Sequence, residues 1–490
     1  MKFTFNKQFM VLMFLLLNCF ACYAANEDLI TKQITLKLTE AGTLPNKIGS
    51  SKKNLVTNLK IIGEINGTDL RFIREMAGSD VEGHSTSGNL SVLDLSEARF
   101  VEGGYYYYTG YKNVYDYCHT SNDIISEYSF IGCHSLKSVN IPSSVTYIGE
   151  NAFKDCRSLK SVNIPSSVTY IGENAFKDCS SLTSVNIPSS VTVIGWGAFE
   201  DCSSLTSVNI PSSVTEIGWY AFSDCSSLKS VNIPSSVTEI GQYTFSGCRS
   251  LTSVNIPSSV TKIREYAFQQ CSSLTSVNIP SSVTVIGWRA FENCSSLTSI
   301  NIPSSVTKIR EYTFYGCWSL TSVNIPSSVT EIGRYAFSQC WHLTSVNIPS
   351  SVTKIREYTF SGCGSLTSVK IPSSVISIGE GVFESCSLSS VYVYAETPPS
   401  IGAGAFYGCD LKNCTLYVPK GTYDAYWLSE WGYFENIVEF DATNIRNIVV
   451  EPEVQENARY AVNGQRLTAP VKGINLVKYN NGRVKKEIVK

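Results

Sequence analysis

The sequence has little excess charge of either sign and few histidines. Its 39 basic and 41 acidic residues give a net charge of −2. A protein that neutralises a phosphate backbone needs a basic surplus, so nucleic acid is not an expected partner. Two Cys-His pairs begin at Cys118 and Cys133, but their separation of 15 residues is not a standard zinc spacing. We therefore predict no metal and no other cofactor.

Long apolar runs are absent beyond the N-terminus. The mainly apolar stretch from Phe9 to Ala21, followed by small residues, is typical of a signal peptide over residues 1–24. No later segment approaches the roughly 18 apolar residues of a transmembrane helix, so the mature chain is predicted to lack one. We expect export, to the cell surface or the medium. A lipid anchor at Cys19 or Cys22 is the alternative, although the residues before each cysteine fit a lipoprotein signal poorly.

Catalytic patterns are also missing. The chain contains no recognisable pair of acid and base carboxylates, no nucleophile with a base, no glycine-rich phosphate loop and no metal spacing outside a repeated unit. Identical serines and asparagines in every unit do not form an active site. The sequence predicts that the protein is not an enzyme.

Cysteine, by contrast, recurs every 23 residues. A fixed period of this length is typical of a stacked solenoid, in which no unit buries its apolar face alone. Buried thiols, scattered disulfides and metal ligation are three readings of such a ladder, and its periodicity favours a buried core position. The thirteen cysteines are Cys133, Cys156, Cys179, Cys202, Cys225, Cys248, Cys271, Cys294, Cys317, Cys340, Cys363, Cys386 and Cys409.

The apolar pattern inside one unit predicts a short strand and a turn. In the unit that starts at Leu136, Val139 and Ile141 alternate with polar residues, as in a strand with one buried face. Phe153 and Cys156 are three residues apart, which favours one helical turn with both side chains inward. The unit thus contributes apolar side chains to a core that continues from unit to unit.

This unit resembles the 23-residue class of BspA-like leucine-rich repeats, over about residues 126–415. The resemblance implies a right-handed leucine-rich-repeat solenoid with a parallel β-sheet of one strand per unit and short turns or helical turns opposite. It further implies a surface adhesin that binds host extracellular-matrix proteins such as fibronectin or fibrinogen.

The predicted organisation places two caps and a terminal module around the solenoid of about 12 repeats. Residues 25–125 form an N-terminal cap with strand-like degenerate repeats and a short helix from Asp69 to Met76. Residues 416–445 form a C-terminal cap. Residues 446–490 alternate around Asn-Gly turns, which favours hairpins. This last segment resembles the small β-rich sorting domains of exported Bacteroidetes-type proteins.

Aromatic residues occupy the variable positions of successive units. Their positions predict a stripe along one edge, and this stripe is a candidate contact for a partner, since rings offer a large contact area at low entropic cost. The other interpretation, that the rings shield the turn beneath them and each other, stays open. The stripe consists of Trp196, Trp219, Tyr220, Tyr243, Tyr266, Trp288, Tyr312, Tyr335 and Tyr358.

A tyrosine-rich loop in the N-terminal cap is a second candidate contact. Its composition resembles that of an antibody paratope, and packing over the cap is the alternative. The candidate residues are Tyr105, Tyr106, Tyr107, Tyr108 and Tyr111.

A further block, Lys262-Ile-Arg264-Glu265-Tyr266, recurs 46 residues later at Lys308 and again at Lys354. Its alternating charge indicates either a solvated face with weak ion pairs or a surface that recognises an acidic ligand. The predicted function of the chain is noncovalent binding of a host or other surface protein. Glycan binding and a passive spacer role are the alternatives.

Overall fold

A computed structural model describes residues 29–109, 117–441, 456–461, 466–467, 469, 471–479 and 484–489. The predicted signal peptide over residues 1–24, with Cys19 and Cys22, lies outside the described residues, and so does Tyr111. Within the described parts, no helix has both the length and the apolar character needed to span a bilayer.

The chain winds as a solenoid, and the first strand of each turn lies parallel to the first strand of the next turn. Each strand pairs with its equivalent one turn later, so that Val208 lies opposite Val231. In the described residues there are seventeen such strands, in three successive sheets: Ile34–Lys37, Asn58–Ile65, Val92–Phe100, Ser138–Asn140 and Ser161–Asn163; Ser184–Asn186, Ser207–Asn209, Ser230–Asn232, Ser253–Asn255, Ser276–Asn278, Ser299–Asn301, Ser322–Asn324 and Ser345–Val346; Ser368–Ile371, Ser390–Val393, Thr415–Pro419 and Asn436–Phe440.

A second, shorter strand follows in each unit and also pairs in parallel with its neighbours. Its second residue is an isoleucine that points into the core, as Ile217 does. These strands are Ile124–Ile125, Tyr147–Ile148, Tyr170–Ile171, Val193–Ile194, Glu216–Ile217, Glu239–Ile240, Lys262–Ile263, Val285–Ile286, Lys308–Ile309, Glu331–Ile332, Lys354–Ile355, Ser377–Ile378 and Ser400–Ile401. The predicted fold class, a leucine-rich-repeat solenoid with a parallel sheet, is confirmed.

The third segment of each unit is a turn and not the helical turn that the spacing of Phe153 and Cys156 suggested. Asn151 and Asp155 on either side of Phe153 have φ of 53° and 64°, which breaks a helix. The amide of Phe153 donates to the carbonyl of Ala175 in the next unit at 2.7 Å. The backbone of the turn is therefore satisfied by the neighbouring unit.

The core contains a continuous stack of phenylalanines that we call the phenylalanine spine. Adjacent ring centroids are between 4.9 and 5.8 Å apart, with every neighbouring pair stacked. The spine consists of Phe130, Phe153, Phe176, Phe199, Phe222, Phe245, Phe268, Phe291, Phe314, Phe337, Phe360, Phe383 and Phe406.

The cysteine ladder lies beside the phenylalanine spine. From Cys156 onward, each thiol donates to the carbonyl of the spine phenylalanine 26 residues earlier, and Cys225 reaches the oxygen of Phe199 at 3.2 Å. Cys225 is fully buried, and burial raises the pKa of its thiol well above the ordinary value. The interpretation of the ladder as core is confirmed.

The N-terminal cap continues the solenoid with less regular turns. Its strands Asn58–Ile65 and Val92–Phe100 pair with each other and carry the first sheet on to the repeats, as the degenerate repeats predicted. Helix α1 spans Leu44–Ile48 and helix α2 spans Gly67–Met76, so the short helix expected at this place is confirmed. A capping box at Asn66 fixes the start of α2.

The C-terminal end covers the last ring of the phenylalanine spine. Helix α3 spans Tyr423–Trp427 and a 3-10 helix spans Glu430–Tyr433. Trp431 is fully buried and its ring lies 5.7 Å from Phe406. The final described strands, Glu456–Ala461, Arg466–Leu467, Gly473–Tyr479 and Val484–Val489, form an antiparallel sheet of the kind that the Asn-Gly pattern predicted.

Candidate functional site

Four positions of each unit lie together on one edge of the solenoid. In the unit that ends at Cys225 they are Glu216 in the second strand, then Gly218, Trp219 and Tyr220 where the turn begins. Glu216 and Trp219 line a common groove with the equivalent residues of the neighbouring units, Trp196 and Glu239. We call these positions, taken over all units, the variable edge.

Two tryptophans of the variable edge form an exposed platform. Trp196 and Trp219 stack with ring centroids 5.0 Å apart and planes 6° from parallel. They are 49% and 38% exposed. Together with Glu216 and Glu239 they line an open groove of about 320 Å³. The groove offers flat apolar area beside negative charge.

The position five residues before each cysteine has a left-handed backbone. Units early in the array place Asn174 or Gly197 there, with φ of 51° and 54°. These are residue types that adopt positive φ at low cost. Six later units instead place tyrosine there, with φ between 55° and 60°: Tyr220, Tyr243, Tyr266, Tyr312, Tyr335 and Tyr358. A bulky side chain with positive φ is an outlier, so each of these tyrosines is strained.

These six tyrosines, which we call the tyrosine row, stack along the solenoid axis. Tyr243 lies 4.5 Å from Tyr220 and 4.2 Å from Tyr266, measured between ring centroids. The stack resumes at Tyr312, which is 4.7 Å from Tyr335. All six are half-buried. The faces of these rings lie against their neighbours in the stack.

Arg289 takes the place of a ring between the two halves of the tyrosine row. Its guanidinium carbon lies 5.9 Å from the ring of Tyr266 and 4.2 Å from that of Tyr312, at the distance of a cation–π contact. It is held there by Glu292 at 2.9 Å. Trp288 beside it is half-buried and meets Tyr266 edge-on at 5.0 Å. Trp288 therefore belongs more to the packing of the row than to its exposed surface.

Three hydroxyls of the tyrosine row have a raised pKa. Burial raises the pKa of Tyr243 and of Tyr335. The hydroxyl of Tyr358 donates to the carboxylate of Glu380, which raises the pKa of Tyr358 to about 12. These three phenols are neutral at neutral pH.

The predicted contact through the tyrosine-rich loop is wrong for two of its residues. Tyr107 is fully buried and its hydroxyl donates to the carbonyl of Glu127 at 2.6 Å. Tyr108 is 4% exposed and stacks on Tyr128. These rings pack over the first unit of the variable edge, so the packing alternative applies to them.

The other described residues of this loop remain accessible. Tyr105 is 69% exposed, and the half-buried Tyr106 contacts Tyr117 with ring centroids 4.6 Å apart and planes tilted by 34°. Tyr111 lies outside the described residues. The loop thus adds Tyr105 and Tyr106 to the candidate surface, close to the N-terminal end of the solenoid.

The sequence reasoning missed a second pair of exposed tryptophans. Trp318 and Trp341 directly follow ladder cysteines, are 44% and 48% exposed, and stack at 5.0 Å. Most other units have serine or arginine at this position, as at Ser203. A comparison of that column could have found the pair. It lies away from the variable edge, at the other end of the turn.

The described part of the chain contains one group of potential metal ligands. Oxygen and nitrogen atoms of Asp80, Glu82 and His84 lie within 4.8 Å of one another in an exposed loop. The Asp80 carboxylate already accepts hydrogen bonds from the amides of Glu82 and His84. This arrangement is a hydrogen-bonded turn, and we assign no metal to it.

Known proteins share this architecture. The family profile described as the BspA type leucine-rich repeat region matches residues 105–229, 194–321 and 307–422. A leucine-rich repeat protein from Bacteroides ovatus is 33% identical, with 67% of this chain and 90% of that chain covered and a TM-score of 0.56. A leucine-rich cell surface protein from Faecalibacterium prausnitzii is 31% identical over 62% of this chain and 87% of that chain, with a TM-score of 0.41. A comparison with curated proteins gives no match.

Proposed function

The chain belongs to the family of BspA-type leucine-rich repeat proteins, and on that premise we propose that it binds partner proteins noncovalently through the variable edge. Leucine-rich repeat solenoids are generally protein-binding and typically non-catalytic, because stacked units create long surfaces rather than enclosed pockets. The proposal includes export to the cell surface and a host extracellular-matrix protein as the partner.

The strained backbone of the tyrosine row is the observation that carries this proposal. Asn174 and Gly197 show which residue types suit the left-handed position in this scaffold. Tyrosine there costs roughly 1–2 kcal/mol per residue by comparison. Strain of this kind persists at sites where the side chain is needed. Tyrosine is also typical of protein-binding surfaces, because its ring supplies a large contact area at low entropic cost.

Shielding is the competing explanation for the same rings. Stacking at 4.2 to 4.8 Å contributes packing energy of its own. Stacking alone, however, does not require the left-handed position, since the phenylalanine spine already stacks from unit to unit. We therefore assign the row to contact with a partner.

Carbohydrate binding is the second candidate, and the platform of Trp196 and Trp219 favours it. Two parallel exposed indoles suit the face of a sugar ring as well as an aromatic or aliphatic side chain. A passive spacer is the third reading, and it requires no contact at the variable edge at all.

The test compares the full chain with a variant that carries Tyr243→Asn, Tyr266→Asn and Tyr312→Asn on arrays of matrix proteins and glycans. Asparagine suits the left-handed backbone, so the fold is expected to survive. We expect binding to a matrix protein that the triple variant loses by at least about tenfold.

The control variant is Trp318→Ser with Trp341→Ser, which removes two exposed rings from another edge and uses the residue common in that column. Its binding is expected to match that of the unchanged chain. Equal loss in both variants would contradict a role for the variable edge. Signal on glycans alone supports the carbohydrate reading, and silence on both arrays supports the spacer.

A further inference from the structure

Charge on the variable edge changes sign along the solenoid. In the units that end at Cys156 to Cys248, the four positions carry four acidic residues and no lysine or arginine: Glu150, Glu173, Glu216 and Glu239. In the units that end at Cys271 to Cys363, they carry eight basic residues and four acidic ones. The basic residues are Lys262, Arg264, Arg289, Lys308, Arg310, Arg334, Lys354 and Arg356, and we call these units the basic half of the edge.

Ion pairs within the edge neutralise only part of this charge. Arg264 binds both carboxylate oxygens of Glu239, at 2.5 and 2.9 Å. Arg334 pairs with Glu357 at 2.8 Å, while Arg289 pairs with Glu292. These ion pairs neutralise the three arginines, and the other basic residues of the edge have more positive charge to offer a ligand.

Three cations of the basic half have no such partner. Within the described parts of the chain, Lys262, Arg310 and Lys354 have no carboxylate oxygen within 4.0 Å. Arg310 and Lys354 are exposed and Lys262 is half-buried. Each lies two units from the next, which is about 10 Å along a stack of parallel strands. Glu311 is an acidic residue of this half that likewise has no cation within that distance.

Cations also converge on one groove of the basic half. Lys308, Lys354 and Arg356 line an open groove of about 220 Å³ around a single carboxylate, that of Glu331. Glu331 accepts from Lys308 at 3.0 Å and from Arg356 at 2.7 Å. These hydrogen bonds lower the pKa of Glu331. The groove therefore keeps a positive excess at neutral pH.

We propose that the basic half binds a linear acidic polysaccharide, with acidic groups against Lys262, Arg310 and Lys354. The same five-residue block recurs three times at two-unit spacing, and a surface that repeats in this way fits a ligand that repeats as well. A folded protein rarely presents three equal charged patches in a line. The edges of the tyrosine row beside these cations suit sugar rings. This inference adds a second class of ligand to the proposed function and uses only the basic half.

Duplex DNA is a polyanion that fits less well. Duplex DNA carries a phosphate about every 3.4 Å along each strand, which is far denser than one free cation per two units. Glycine also satisfies the scaffold where arginine stands in the repeated block, as Gly287 and Gly333 show, so these arginines are not required by the fold.

The test measures binding of the full chain to hyaluronan oligosaccharides, which carry one carboxylate per disaccharide. We expect saturable binding that weakens as salt is raised, because exposed charges are screened. The variant Lys262→Gln, Arg310→Gln, Lys354→Gln is expected to bind about tenfold more weakly, since three exposed charge contacts are lost. None of these residues is in an ion pair, so the variant is expected to fold.

Matched controls make the outcome decisive. The variant Lys137→Gln, Lys160→Gln, Lys229→Gln removes the same charge from exposed lysines outside the variable edge and should bind like the unchanged chain. Neutral chitin oligosaccharides should not bind. Absence of hyaluronan binding at low salt, equal binding by the basic-half variant, or equally tight binding of poly-glutamate or single-stranded DNA would each overturn the proposal. The tyrosine-row variant on matrix proteins reports separately on the proposed function.

Discussion

Each unit holds two single residues in the left-handed backbone region, one five positions and one directly before the cysteine. Aspartate, asparagine or glycine occupies the second of these positions in most units, as Asp178 and Gly247 illustrate. The sequence shows this preference when the 23-residue units are aligned on their cysteines. Five residues before the cysteine most later units have tyrosine, a residue type that does not indicate positive φ. The strain of these tyrosines could therefore not be predicted from residue type. The stripe itself was predicted from spacing alone.

Tyr243 gives a direct test of that strain. Because its φ is 55°, glycine is expected to be more stable than alanine at this position by roughly 1 kcal/mol, although glycine ordinarily destabilises a regular segment. Urea unfolding of Tyr243→Gly and Tyr243→Ala measures the difference. The same pair at the exposed strand residue Asn209 is the control and should show the opposite order. Equal stabilities at residue 243 would disprove the strained position.

Phe222 tests the phenylalanine spine. It is fully buried and stacked between Phe199 and Phe245, so Phe222→Ala is expected to lower the free energy of unfolding by about 3–5 kcal/mol through lost burial and a cavity. Urea unfolding followed by circular dichroism measures it. Thr206→Ala at an exposed position should change stability by no more than about 0.5 kcal/mol. A loss below about 1 kcal/mol for Phe222→Ala would contradict a tightly packed spine.

Among the elements, the strands were predictable and the turn was not. Alternation around Val208 and the proline that follows Ile210 define a short strand with one buried face, as the structure shows. The Phe-x-x-Cys spacing is equally compatible with a helical turn. Bonds such as that from Phe222 to Thr244 of the next unit decide between them, and a pattern within one unit does not contain such contacts.

The burial of the tyrosine-rich loop depends on contacts between residues that are far apart in the sequence, so it could not be predicted from the loop itself. The tyrosine-rich loop has the composition of a contact surface, yet Tyr107 and Tyr108 fold back onto Glu127 and Tyr128 about 20 residues later in the chain. Composition does not reveal which side of a ring is covered. By contrast, the repeats place Trp196 and Trp219 in the same column, which was enough to predict that they meet.

The cysteine ladder predicts how stability depends on alkaline pH. Burial raises the pKa of Cys133 to about 11 and that of Cys363 to about 12, and others in the ladder are also raised. A pKa that is higher in the folded state means that stability is full below the unfolded value and is lost as pH rises through the folded one. Stability is therefore expected to fall steeply above about pH 9. Urea midpoints between pH 7 and 11 measure this, and a flat profile would contradict buried thiols.

Thiol accessibility is a complementary readout. At pH 8 a thiol reagent should label the ladder slowly in the folded protein and completely in urea, because the thiolate is the reactive form and these thiols are buried. Cys409 is the ladder cysteine that is partly exposed and is expected to react first. Rapid labelling of Cys225 in the folded chain would be inconsistent with the structure.

For the whole molecule, the distance between successive units is short where a glycine begins the turn, because its backbone lies against that of the preceding unit. A side chain at Gly287 would place its Cβ 2.4 Å from the backbone of Arg264 in the preceding unit. Arginine and glycine alternate at this position from Gly241 to Gly379. The amide of Arg264 donates to the carbonyl of Ile240 at 2.9 Å, as the amide of Gly333 does to that of Ile309 at 2.8 Å, whereas among the described residues Arg310 and Arg356 lack the equivalent bond. In each case the unit before the arginine carries glycine, so no two units with arginine at this position are neighbours.

Deletion of whole units tests this alternation. Removing residues 272–294 takes out one unit and places Arg264 directly before Arg310, so that two units with arginine at this position become neighbours and Lys262 faces Lys308. Removing residues 272–317 takes out two units and places Gly333 after Arg264, with Lys262 facing Glu331. Each deletion keeps the 23-residue period and removes nearest-neighbour stabilisation.

The larger deletion is expected to be the more stable of the two, with a higher urea midpoint and slower thiol labelling. The physical reason is that the smaller deletion introduces a backbone clash and a like-charge contact that the larger one avoids. A single unit contributes interfaces of similar size wherever it stands, so length alone predicts the reverse order. If the chain that lacks only residues 272–294 proves the more stable, neither neighbouring arginines nor facing lysines destabilise the junction between units.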